Sequence, residues 1–318
     1  ARYKSRLVAK GYLQESGVDF LDTFSPVAKQ PTIRVLLCAA LHFNWSIKQL
    51  DVSNAFLHGK LEEEVFMTQP PGFENSQFPT HVCKLNKALY GLKQAPRAWF
   101  STFSSFLLSL GFVPSHCDNS LFVQSTSTTL TYLLVYVDDI LVTGTSSSHI
   151  QSLISQLHST FSLKDLGSLS FFLGISVTTS SSGSFLSQSH YASKLLQQAG
   201  MTDCKPAPSP LSLSSSSSQS SASTSAFSNP SLYRSLVGGL QYLTITRPDL
   251  TFAVNQVCQH MQSPSHDDFA KVKRLRRYVH GTLHHGLHFS SSSFDIHAFS
   301  DADWAGNPCD RRLLGFYS

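Results

Sequence analysis

Residues 130–142 read LTYLLVYVDDILV, two apolar runs that meet at Asp138 and Asp139. Short runs of Leu, Val, Ile and Tyr joined by a polar pair carry the signature of a β-hairpin. This reading makes Asp138-Asp139 a two-residue turn, its carboxylates uncovered while the flanking strands fix the backbone. Successive side chains diverge along an extended chain, so the two aspartates need not be equivalent. Working outward, the strand-like run at 45–50 (WSIKQL) ends at Asp51. Ahead of it, residues 32–43 (TIRVLLCAALHF) place Ile33, Leu36, Leu37 and Ala40 at helical spacing. Residues 98–111 (AWFSTFSSFLLSLG) repeat apolar positions at three and four and stop at Gly111, a helix with a glycine C-cap.

Downstream of the hairpin, residues 149–161 (HIQSLISQLHSTF) read as an amphipathic helix, 169–177 (LSFFLGISV) as a strand, and 185–200 as a strand running into a helix. Strands and helices mixed in this order give an α+β architecture. Residues 206–230 are rich in Ser and Pro, bury little apolar surface and read as a linker. Beyond them the pattern is helical to Gly281. In 266–281 (HDDFAKVKRLRRYVHG), Phe269, Val272, Leu275 and Tyr278 form one face, and Lys271, Lys273, Arg274, Arg276 and Arg277 occupy the rest. Such a basic face suits phosphate contacts along a duplex without base readout, and a solvated charged face is its competing reading. The expected units are therefore 1–205, a linker at 206–230, a helical segment at 231–290 and a final piece at 291–318.

At 318 residues and 41% apolar content the chain can bury a substantial core. Lys and Arg number 24 against 20 Asp and Glu, an excess too small to argue for nucleic-acid binding without local clustering. The six cysteines are scattered without a zinc-type spacing, which points to a reducing, intracellular setting. His280, His284, His285 and His288 have no accompanying cysteine and are assigned no zinc. No apolar run is long enough for a membrane span, and no signal-peptide core is present at the start. Starting at Ala1 and stopping at Ser318 without a tail signal, the chain reads as an excerpt of a longer polyprotein or of a gene remnant.

Hard divalent cations prefer carboxylate oxygens held on rigid elements. Asp138 and Asp139 beside a strand-borne Asp51 would supply a cage of this kind, suited to phosphoryl transfer. The dipeptide alone reads first as a solvated hairpin turn, since Asp favours turns. Its setting carries the weight, since Tyr136-Val137-Asp138-Asp139 and Leu50-Asp51-Val52 each follow an apolar strand.

The ordered stretches RLVAKGY (6–12), DTFSPVAK (22–29), QLDVSNAFLHG (49–59), LYGLKQAPRAW (89–99), YVDD (136–139), KDLGSLSFFLGI (164–175), LVGGLQYLTITRPDL (236–250) and SDADWAG (300–306) span nearly the whole chain. Together they resemble the Ty1/copia-type retrotransposon polyprotein in its reverse transcriptase region.

The resemblance implies a right-hand polymerase with fingers and an antiparallel palm sheet in the first 205 residues, followed by a thumb- or connection-like helical segment. It implies an RNA-directed DNA polymerase in which Asp51, Asp138 and Asp139 hold two Mg²⁺ ions, with Mn²⁺ a possible substitute. Its partners would be an RNA or DNA template, a DNA primer, deoxynucleoside triphosphates and other parts of the parent polyprotein, in a cytoplasmic particle or the nucleus and without a membrane. Phe56 matches the bulky residue that excludes a 2′ hydroxyl, with ordinary core packing the competing reading. Lys4, Arg6 and Lys10 stand where the family's fingers touch the triphosphate, and Lys164 near the pyrophosphate. The loop holding Gly91, Lys93, Gln94 and Arg97 suits template and nucleotide contacts, and a generic basic loop would look similar. Phe172-Leu173-Gly174 resembles the turn that grips the primer end. Asp301 resembles the first carboxylate of a ribonuclease H site whose other acids are missing, so it reads as a vestige and no RNA cleavage is expected. An inactive remnant that only binds nucleic acid is the alternative reading.

Overall fold

The structure is a computed structural model and describes residues 5–180, 182–212 and 225–291, together with Asp295 and His297. In chain order α1 (Gln30–His42) leads into β1 (Lys48–Val52), then β2 (Lys60–Thr68), β3 (Val82–Lys87) and α2 (Ala95–Ser109). Next come β4 (Val113–Pro114), β5 (Leu121–Ser125), β6 (Leu130–Tyr136), β7 (Asp139–Gly144), α3 (Ser147–Thr160) and β8 (Leu163–Ser168). They are followed by β9 (Phe171–Phe172), β10 (Ile175–Ser180), β11 (Gly183–Ser187) and α4 (Ser189–Gln198). The last are α5 (Pro230–Leu243), α6 (Thr251–Cys258), α7 (His266–Gly281) and β12 (Leu287–Phe289).

Six strands form the central sheet in the order β4-β5-β6-β7-β1-β8, every pair antiparallel. Side chains alternate between its faces, and both faces are covered, so β6 and β7 read as continuous apolar runs. Leu133, Val135, Ile140 and Val142 pack with Leu50, Trp99 and Phe103 and with Ile150, Leu153 and Leu157 under α2 and α3. Leu134 and Leu141 point the other way, to Leu36 and Leu37 of α1 and to Ile175, Val177 and Leu186 of a second sheet, β12-β11-β10-β9. A separate ribbon, β2-β3, stands beside the start of α2.

Local signals account for the helix ends. Helix α3 is capped by the Ser146 hydroxyl, which accepts from the His149 amide, and α7 by a reciprocal box between Ser265 and Asp268. Gly111 follows α2 at φ +84°, the left-handed stop its position predicted. Helix α1 is held from a distance, because Asp118 accepts from the Lys29 amide at 2.9 Å and the Thr32 hydroxyl at 2.6 Å.

Three expectations change. The two-residue turn of the hairpin is Val137-Asp138, because Tyr136 pairs directly with Asp139, which opens β7. Val137, not an aspartate, takes the left-handed conformation, at φ +57°. Residues 169–177 are not one strand: Leu173 and Gly174, at φ +48° and +72°, form a tight turn between β9 and β10. Both residues at positive φ is the demand of a type I′ hairpin turn. Finally, α4 packs with α5, α6 and α7 around Tyr233, Val237, Leu240, Val254, Val272 and Leu275, so this core begins before residue 205. The helical core is tied back to the sheets, since β12 pairs with β11. No helix among the described residues is long and apolar enough to cross a membrane.

Candidate active site

Pairing across the central sheet aligns one row of side chains. Tyr136 on β6 is opposite Asp139 on β7, Asp139 is opposite Asp51 on β1, and Asp51 is opposite Lys164 on β8. Directly opposed residues share a face, so the four side chains stand together on the side of Leu134 and Leu141. Lys164 Nζ lies 3.9 Å from Asp51 Oδ2. Asp138 sits one residue before the row, in the turn, and its carbonyl accepts from the Val52 amide at 2.8 Å, which fastens the hairpin tip to β1.

The electrostatics follow from this crowding. Burial raises the Asp139 carboxyl above the ordinary range, the charges of Asp138 and Asp51 raise it further, and a hydrogen bond from Gln49 opposes them. Clustered carboxylates, partly removed from water, form a place where a divalent cation is favoured over several protons. Among the described residues no three carboxylate, imidazole or thiolate groups converge into a complete ligand set. Asp51, Asp138 and Asp139 would hold a hard divalent cation only together with water or substrate oxygens, ligands that Mg²⁺ commonly keeps.

The wall beside these acids is aromatic. Tyr90 lies 4.9 Å from Phe56 between ring centroids, and the Arg6 guanidinium sits 5.0 Å over the Tyr90 ring. Burial raises the Tyr90 phenol, Arg6 lowers it, and Asp138 and Asp51 raise it, which sets this ring beside the carboxylates. Phe56 is partly buried and packs against two hydrophobic clusters, so it is at once a core contact and a neighbour of the site. Gly91, which follows Tyr90, brings this loop against the N-terminal segment. At φ +94°, a Cβ on it would lie 2.1 Å from the Ala9 carbonyl oxygen.

The other expected residues divide. Gln94 is buried, donates to the Asp19 carbonyl at 2.9 Å and accepts from Gln14 Nε2 at 3.0 Å. Lys93 donates to the Gln14 carbonyl and sits over Phe20, and Arg97 pairs with Asp22. These three hold residues 14–22 in place. On α7 most of the cations find partners inside the molecule. Arg276 is buried and donates to the Leu195 carbonyl, Arg277 to that of Lys205, Arg274 to the Ser209 hydroxyl, and Lys271 pairs with Asp268. Lys273 lies over the Phe269 ring. Phe172, which precedes the Leu173-Gly174 turn, is buried. Lys4 and Asp301 lie outside the described residues.

Sequence reasoning passed over Gln49, Tyr90 and Trp99. Trp99 Nε1 donates to the Val137 carbonyl at 2.7 Å and so holds the hairpin turn from below. Gln49 had a signal in its spacing, two residues before Asp51 and thus on the same face. Tyr90 and Trp99 bracket the basic loop but carry no charge, and only the fold brings them to the carboxylates.

The family described as reverse transcriptase (RNA-dependent DNA polymerase) matches residues 1–213. The chain is 46% identical over 310 residues to the Retrovirus-related Pol polyprotein from transposon RE1 of Arabidopsis thaliana, covering 97% of this chain and 21% of that protein. To the corresponding polyprotein from transposon TNT 1-94 of Nicotiana tabacum it is 38% identical over 319 residues, 98% of this chain and 24% of the relative. A transposon Ty5-1 protein of Saccharomyces cerevisiae is 32% identical over 246 residues, 77% of this chain and 79% of its own length. The chain thus spans under a quarter of the two plant polyproteins.

Proposed function

Because the chain belongs to the reverse transcriptase (RNA-dependent DNA polymerase) family, as a Ty1/copia-type Pol polyprotein region, we propose that it extends a DNA primer on an RNA or DNA template. The observation that carries this reading is the row Tyr136-Asp139-Asp51-Lys164, with Asp138 at the adjoining turn. In the proposal Asp51, Asp138 and Asp139 hold two Mg²⁺ ions, which Mn²⁺ can replace. Bound there, the cations would favour the ionised primer 3′ hydroxyl and neutralise the triphosphate and its leaving group.

The chain's own part is placement and charge. Strand pairing fixes Asp51 and Asp139, and the Trp99 hydrogen bond fixes the turn that presents Asp138, so little reorganisation is needed during reaction. Lys164, largely exposed beside Asp51, can neutralise departing phosphate oxygens. The Phe56-Tyr90 pair forms a rigid apolar surface against which a sugar without a 2′ hydroxyl would fit, with Arg6 behind it. In this reading the six-stranded sheet is the palm, the β2-β3 ribbon with the N-terminal segment the fingers, and α5–α7 the thumb or connection.

The test is extension of a labelled DNA primer annealed to RNA, with deoxynucleotides and Mg²⁺. Template-dependent lengthening that stops with chelator and resumes with Mn²⁺ is expected. A folded chain that leaves the primer unextended refutes the proposal.

A further inference from the structure

One polar contact between the helical core and the sheets is made at the β9-β10 turn. The Tyr242 hydroxyl, near the end of α5, donates to the Leu173 carbonyl in the β9-β10 turn. Both turn residues are left-handed, and for Leu173 that conformation costs on the order of 1 kcal/mol, so the surroundings must hold it. Tyr242 lies against the turn, since a Cβ on Gly174 would stand 3.2 Å from its hydroxyl oxygen and 3.6 Å from its ring. The ring is itself set edge-on to Tyr191 of α4, at 4.9 Å between centroids. A second tie lies three residues on, where the Arg34 guanidinium of α1 donates to the Ile245 carbonyl at 2.7 Å.

This junction reaches the hairpin. Leu173, Ile245 and Tyr136 pack against one hydrophobic cluster, which also holds Phe172, Leu134 and Leu141. The Tyr242 phenol is raised by burial first and next by the charge of Tyr136. Tyr136 is the first member of the row that contains Asp139 and Asp51.

We propose that Tyr242 is a positioning residue whose hydroxyl seats the Leu173-Gly174 turn at the level of the carboxylates, so that docking of the helical core fixes where a primer terminus rests. This rests on the polymerase reading for the identity of what is seated. The turn and hairpin move as one body while the Tyr242 bond is made. When it is lost, the strained Leu173 can relax and the turn shifts relative to Asp138.

The test is Tyr242→Phe, which keeps the ring and its packing and removes only the donor. Affinity for a fluorescent primer–template is measured by anisotropy without nucleotides, and extension kinetics are measured on the same hybrid. Loss of one hydrogen bond predicts about 3- to 10-fold weaker hybrid binding and a matching rise in its KM, with the deoxynucleotide KM unchanged and the thermal midpoint lowered by no more than a few degrees. Gly174→Ala, which crowds the same hydroxyl, is expected to raise the hybrid KM without a further rise when combined with Tyr242→Phe. Equal hybrid affinity in wild type and Tyr242→Phe, or parallel loss of both substrate constants together with stability, overturns the proposal. If wild type binds the hybrid but extends nothing while Tyr242→Phe still weakens binding, the polymerase reading fails and the seating role stands.

Discussion

Asp51 and Asp139 stand directly opposite each other on β1 and β7, and burial together with the charges of Asp138 and Asp51 holds the Asp139 carboxyl above its usual range. This pairing concentrates negative charge on a sheet whose rigidity prevents the groups from moving apart. A site arranged in this way trades stability for the capacity to take up cations.

Asp139→Asn should therefore stabilise the metal-free chain at neutral pH. A raised carboxyl value means that the folded state holds the proton more tightly than the unfolded chain, so stability falls as pH climbs from the ordinary value of 3.8 through the raised one. Thermal unfolding in chelator should give a midpoint a few degrees higher for the variant at pH 7, with the gap closing toward acid pH. Extension by the same variant should drop about 100-fold or more. A midpoint below that of wild type at neutral pH would contradict the electrostatic account.

Trp99→Phe removes the donor that holds the Val137 carbonyl. Leaving that carbonyl unpaired and shrinking a buried ring should destabilise the chain by about 2 kcal/mol. Because Val137 is held at φ +57°, the hairpin tip should shift as well, so kcat should fall more than either substrate KM changes. Phe103→Leu is the control, since Phe103 packs against Trp99 in the same cluster and donates no hydrogen bond to the turn. It should lose comparable stability in urea titrations and keep its kcat.

Gly91→Ala and Gly17→Ala should differ, although both glycines are left-handed, at φ +94° and +84°. At Gly17 nothing lies within 4 Å of the added carbon, so the change carries only the backbone penalty of about 1 kcal/mol. At Gly91 the carbon collides with the Ala9 backbone, and a loss of about 3 kcal/mol or more, with displacement of the Tyr90 ring, is expected. Chemical denaturation of the two variants measures the contrast directly.

Much of this arrangement was legible in the sequence. Apolar runs marked β6 and β7, three-four spacing marked α1 through α3, and Gly111 marked the end of α2. The strand-borne Asp51 and the hairpin aspartates were singled out from their settings, and strand pairing brings Asp51 opposite Asp139. The turn was misplaced by one residue because composition favours Asp-Asp in a tight turn, whereas the pairing of Tyr136 with Asp139 puts a valine there. Residues 169–177 read as one strand because nothing local marks Leu173 as left-handed. Charged residues were least legible, since whether Arg97 meets a nucleotide or Asp22, or Arg276 a phosphate or the Leu195 carbonyl, is decided by distant segments.

Arg276→Ala should unfold the helical core more than it weakens nucleic-acid binding. The side chain is buried, donates to the Leu195 carbonyl at 3.1 Å, and its Nε has no hydrogen-bond partner among the described residues. Truncation leaves a cavity and an orphaned carbonyl and should cost about 2 to 4 kcal/mol, while Arg276→Met, which keeps the volume, should cost less. The salt dependence of hybrid binding, measured on the folded fraction, should keep its slope in Arg276→Met. A slope reduced by about one would mean that this guanidinium meets a phosphate after all.

The most direct measurement compares wild type with Asp138→Asn in extension of a labelled DNA primer on RNA, with Mg²⁺ and deoxynucleotides. The turn is held through the Asp138 and Val137 carbonyls, on the Val52 amide and the Trp99 indole, so the variant should fold and bind the hybrid normally while its extension disappears. Extension by Asp138→Asn at the wild-type rate would remove this carboxylate from the chemistry and contradict the assignment of the site.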